Sequence, residues 1–256
     1  MTDSDVPAIE CHDTRHCRDA LFSLYAPHVH GCAVCTRSIS KTVWVGDNDW
    51  LSVVAGETFT QRYTVSLRMN LSRSLIETKA EEYESVQPFF TVEAEHIEIL
   101  PGMLTDGDYG WRDLEWVVQW YFRRYLGAYP NRERREIEDA FGENTYEEVM
   151  VALDAVTETD DTEEKFDHLC SLAGVDVRVA SAFLFFMFPE TYLPVGDREW
   201  GALREFGYVD EPYSDRPSVE QYLSYHESCR ELVEEYEVDP WTLYRALWRV
   251  GSEQSG

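Results

Sequence analysis

The sequence predicts an α+β protein, with a small β-rich N-terminal domain over residues 1–105 and an all-helical domain over 106–256. Short β-branched and aromatic runs fill positions 41–69; such runs, bounded by turn residues, form strands. From Trp111 onward apolar residues recur at helical spacing instead. Pro101-Gly102 and Thr105-Asp-Gly-Asp are turn clusters that place the boundary near 101–110. A chain of 256 residues suffices for one large or two modest domains, and 44% hydrophobic content supports a packed core.

Residues 11–35 hold Cys11, His12, His16, Cys17, His28, His30, Cys32 and Cys35, four of the six Cys and four of the seven His. Cys32-x-x-Cys35 has the spacing of a zinc knuckle. Thiolates and imidazoles converge on Zn²⁺ because it takes four such ligands tetrahedrally with little geometric preference of its own. The preferred set is Cys11, Cys17, Cys32 and Cys35, with His16, His28 or His30 able to replace one member. A structural zinc is expected, since no His-x-Glu signature of a catalytic one is present. The plainer reading is a reduced Cys-rich surface segment.

Lys41 to Gly46, Trp50 to Val54 and Thr58 to Leu67 read as strands, and Asp47-Asn-Asp joins the first two as a hairpin turn. Leu71 to Tyr83 reads as a helix. Phe89 to Leu100 alternates, with Phe90, Val92 and Ala94 opposite Thr91, Glu93 and Glu95, as a half-buried strand does. Asp113 to Tyr125 carries a wide apolar stripe. Arg123, Arg124, Arg132, Arg134 and Arg135 crowd the following turn; mixed with acids over Arg132 to Glu138, they read as an ion-paired, solvated face. Asn144 to Val156 and Thr162 to Ala173 are amphipathic helices, with Asn144 and Thr162 in capping positions. Val177 to Phe188 is apolar nearly throughout, as a helix buried on all sides is. Pro189 ends it, and Asp197 starts a new helix as its cap. Val219 to Tyr236 and Trp241 to Val250 complete the bundle. Most of the dense aromatics, Trp120 and Trp248 among them, are expected in the core.

The net charge is −27, with 49 acidic against 22 basic residues, of which only Lys41, Lys79 and Lys165 are Lys. Such a surface suits a halophilic cytoplasm, where hydrated carboxylates keep proteins dispersed. At ~1 M salt the Debye length is ~3 Å, so the charge neither proves nor excludes a DNA partner, whose phosphates would need Lys and Arg. The N-terminus MTDSDVPAIE has no apolar core, so a cytoplasmic location with no membrane partner is expected.

Gly174-Val175 through Ser181, the buried helix, and Pro189 through Asp197 resemble the core of the helix-hairpin-helix DNA glycosylase superfamily, over roughly residues 110–250. The likeness is to an uncharacterised branch with a GV-x-V-x-V-A-S hairpin and a Pro-x-x-Tyr-x-x-x-x-Asp loop. It implies an all-α glycosylase-like domain that binds DNA, with Gly174 and Val175 offering N–H groups to a phosphate and Arg178 beside them. It implies Asp197 as the catalytic carboxylate of base excision on an extruded base. Two positions depart from the pattern. Asp176 replaces the second hairpin glycine and brings a negative charge to the phosphate. Arg178 occupies the place of the Schiff-base lysine, and a guanidinium is no nucleophile, so at most a monofunctional glycosylase is implied. The alternative is a non-enzymatic binding or interaction protein on the same scaffold, with Asp197 only a helix cap.

Overall fold

The structure, a computed structural model, describes residues 71–254 in full and the backbone of residues 41–44 and 50–53. The chain divides into two compact units, Met1–Val65 and Ser66–Gly256. In the first, β1 (Lys41–Trp44) pairs antiparallel with β2 (Trp50–Val53), Lys41 opposite Val53 and Trp44 opposite Trp50. The run from Thr58 to Leu67 lies outside the described residues.

The second unit overturns the α+β expectation, because residues 71–254 contain helices and no strand. These are α1 (Arg73–Val86), α2 (Phe90–Asp106), α3 (Trp111–Arg123), α4 (Asn131–Phe141), α5 (Tyr146–Glu158), α6 (Thr162–Cys170), α7 (Val177–Met187), α8 (Asp197–Phe206), α9 (Val219–Tyr236) and α10 (Pro240–Gln254).

The strand read over Phe89–Leu100 is helix α2. Its inward residues are Phe90, Glu93, Ile97, Leu100 and Leu104, which follow the helical period. The pattern was disguised because a carboxylate holds one core position and Val92 and Ile99 face outward. Pro101 lies inside this helix, and Gly107, at φ 75°, ends it. The boundary expected at 105/106 therefore falls at its last turn, whereas the compact unit begins at Ser66.

All eleven residues of α7 are buried, and α2, α3 and α6 pack around it. A second layer forms where α10 packs against α1 and α8; Tyr83 of α1 meets Trp248 of α10 edge-on at 5.0 Å. Side-chain oxygens start the helices. Ser72, Thr145, Asp161, Asp176 and Ser218 each accept a first-turn N–H, and each such cap contributes roughly 1 kcal/mol. The caps of α5 and α6 are Thr145 and Asp161, each one residue beyond or before the expected Asn144 and Thr162. Buried Lys165 donates to the carbonyls of Val156 and Thr159 and closes the end of α5; burial lowers its pKa. The expected ion-paired face exists as Arg132–Glu136 and Arg134–Glu138. Among the described residues no helix is long and apolar enough to cross a membrane.

Candidate functional site

Gly174 and Val175 lie in the turn between α6 and α7. Gly174 sits at φ 74°, and a Cβ there would lie 2.5 Å from Phe141 N and 2.6 Å from Ile137 O. Only glycine lets the turn lie this close to the backbone of α4. Asn144 fastens the turn from the side: Nδ2 donates to Ala173 O at 2.9 Å, and Oδ1 accepts from Ala173 N at 2.9 Å. The Val175 N–H donates to Leu172 O.

Asp176 is the cap of α7. Its Oδ1 accepts from the N–H groups of Arg178 and Val179 at 3.0 and 3.2 Å, capping α7. Its Oδ2 accepts from Arg178 Nε and Nη2 at 2.9 and 2.7 Å. Arg178 is 4% exposed and also donates to the Tyr129 hydroxyl at 2.6 Å, with Glu133 beside it. Burial alone would lower the Arg178 pKa; the hydrogen bonds and charge of Asp176 outweigh it and raise it. The two groups that depart from the family pattern thus satisfy one another.

The loop from Leu193 to Gly196, which carries Asp197, is held from inside. Tyr222 and Tyr225 donate to the carbonyls of Leu193 and Pro194, each at 3.0 Å. Val195 O accepts from Tyr121 at 3.0 Å and Arg124 Nη2 at 3.3 Å, and Val195 N donates to Ser181 Oγ at 3.0 Å. An irregular buried segment persists because its polar backbone groups find partners in place of water. A Cβ on Gly196 would strike the Tyr125 hydroxyl and Arg124 Nη2 and lie 2.7 Å from Glu199 Oε2.

Arg124 and Glu199 form a fully buried ion pair at 2.6 Å, joining the end of α3 to α8. The guanidinium lies 4.6 and 4.8 Å from the ring centres of Tyr121 and Tyr125. Burial disfavours its charge, but Glu199 and the surrounding phenols hold its pKa well above the usual value. Burial raises the Glu199 pKa against the opposing Arg124 charge. Arg124 is held the more firmly because it has further partners, whereas Glu199 Oε2 has no hydrogen-bond donor among the described residues. A second buried carboxylate, Glu93, accepts from Tyr83 at 2.6 Å and Trp120 Nε1 at 2.8 Å.

Asp197 itself is exposed and is the first residue of α8; Gly196 is the cap, so the expected capping role is not the one observed. Among the described residues the Asp197 carboxylate makes no hydrogen bond or ion pair. Neither of two surface concavities on this unit is lined by it. Cys11, Cys17, Cys32 and Cys35 lie outside the described residues.

The sequence reading missed Arg124, Glu199 and Glu93. Arg124 and Glu93 do carry a signal, since each continues an apolar helical stripe (Val117, Tyr121, Arg124; Phe90, Glu93, Ile97) and must be buried by phase. Comparison with family models, curated proteins and solved structures finds no match to this chain.

Proposed function

We propose that the helical unit is a non-enzymatic binding module on a glycosylase-like scaffold. One observation carries this reading: the Asp176 carboxylate caps α7 and neutralises Arg178, and the Val175 N–H is taken by Leu172 O, so two of the three residues that the resemblance assigns to phosphate contact are already engaged. A phosphate approaching the hairpin meets a carboxylate that cannot leave without exposing a buried guanidinium and uncapping α7.

The test is titration of labelled duplex DNA, intact and carrying damaged bases, with a parallel assay for base release. The expected result is no base release and affinity within the non-specific range of ~10⁻⁴–10⁻⁶ M. Asp176→Asn removes the charge and keeps an acceptor for the cap; because it lifts the barrier to phosphate, it should raise DNA affinity without producing base release. Tight binding by the unaltered chain, or no gain with Asp176→Asn, would count against it.

A second reading is monofunctional base excision by Asp197, favoured by the exposure of that carboxylate beside a rigid loop. It requires base release that disappears in Asp197→Asn, with the strand left intact because Arg178 cannot form a Schiff base.

A further inference from the structure

We infer that the groove between the α1–α2 turn and the α3–α4 connection docks an extended segment of a partner protein bearing apolar anchors and acidic residues. The inference rests on the reading of this unit as a binding module. The groove is an open concavity of about 480 Å³, a volume within the ~300–1,000 Å³ of ligand clefts. Its rim carries Val86, Phe89 and Leu126, exposed by 41%, 39% and 45%, and buried Phe122 contributes to its lining. These are three of eight exposed large hydrophobics among the described residues, drawn to one concavity by two different connections.

Leu126 supplies the strongest local signal. It sits at φ 55°, followed by Gly127 at φ 87°. The left-handed region disfavours a residue with a Cβ, and this leucine still leaves 45% of its surface exposed. A glycine or asparagine at this position would suit the turn better. Leucine at a strained, exposed position is explained by what it offers outward. Gln87, 3% exposed, braces the walls: its Nε2 donates to Arg124 O, and its Oε1 accepts from Phe89 N.

Charge selects the occupant. The chain has 49 acidic residues in 256, yet none lines this groove, whereas Arg123 and Arg134 do. Among the described residues Arg123 donates only to neutral Gln119, and Arg134 is paired with Glu138 outside the lining. Aliphatic rim residues with a single exposed ring suit side-chain anchors better than stacked bases, which need open aromatic faces.

The test uses the full chain and fluorescent synthetic peptides with Leu and Phe anchors flanked by Asp and Glu, by Ser or by Lys. The acidic set should bind about tenfold or more tightly than the Lys set, and Arg123→Glu should abolish that preference. Leu126→Gly relieves the backbone while removing the anchor, so it should melt at the same or a higher temperature and yet bind about tenfold more weakly. Absence of binding, or binding untouched by both variants, overturns the proposal. So does an oligothymidine that displaces the peptide, or self-association lost on Leu126→Gly, which would assign the groove to nucleic acid or to a second copy. Peptide failure without base release removes the groove and leaves the binding-module reading standing; base release removes that reading whatever the peptides do.

Discussion

Replacing Glu199 by Gln isolates the contribution of the buried ion pair. The amide has nearly the shape of the carboxylate and can still accept from Arg124 Nη1, so the change removes charge and little else. Both side chains have no exposure and approach to 2.6 Å. Opposite charges about 4 Å apart attract by ~4 kcal/mol at an effective dielectric of ~20. Losing the carboxylate returns part of its burial cost, but Arg124 stays charged because a guanidinium does not deprotonate in proteins. An unpaired buried guanidinium is the larger effect, so a loss of about 3–5 kcal/mol is expected. At ~2–4 °C per kcal/mol the helical unit should melt roughly 6–20 °C lower. Urea unfolding followed by circular dichroism measures it, with Arg132→Ala as an exposed-pair control that changes stability little. The loss should persist from ~0.1 M to ~1 M salt, since buried charges are poorly screened. A loss below about 1 kcal/mol, or one that vanishes with salt, would show that the pair does not hold the loop as argued.

Gly174→Ala should destabilise by at least about 2 kcal/mol, because φ 74° and the α4 backbone both oppose a Cβ; an unchanged urea midpoint would contradict this. Burial raises the folded-state pKa of Glu93 above its ordinary 4.5, so the folded state binds this proton more tightly than the unfolded one. Its stabilising contribution is therefore present below the unfolded value and lost as pH rises through the folded one. Glu93→Gln should then compare worst with wild type in acid and improve towards neutral pH, and a difference independent of pH would refute the shift. A fragment of residues 66–256 should melt cooperatively, whereas 106–256 should not, because it strips Ile76, Ala80 and Tyr83 of α1 away from α10; cooperative melting of the shorter fragment is the adverse result. Native mass spectrometry should find one zinc ion bound through residues 11–35, and a metal-free chain whose melting ignores chelator would remove that proposal.

The helices that fill their own faces were legible in the sequence. The apolar run of α7, the stripe of α3 and the turn at Gly174 each follow from local pattern, because periodicity and backbone freedom are properties of neighbouring residues. The hairpin pairing of Lys41–Trp44 with Trp50–Val53 was legible for the same reason. What failed was the character of residues 89–100. There the core face includes a carboxylate, and Glu93 is tolerable inside only because Tyr83 and Trp120, from two other helices, donate to it. Helical phase sets Arg124 on the inward stripe and its neighbour Arg123 off it, but nothing local shows what would neutralise a buried guanidinium. One is buried against Glu199, 75 residues on, and the other is exposed on a groove. Whether a charge is paired, capped or left facing solvent depends on what distant segments bring to it, so only the tertiary structure decided which partners make a buried charge tolerable. It likewise decided that Asp176 and Arg178 complete one another, while Asp197 stands in the open.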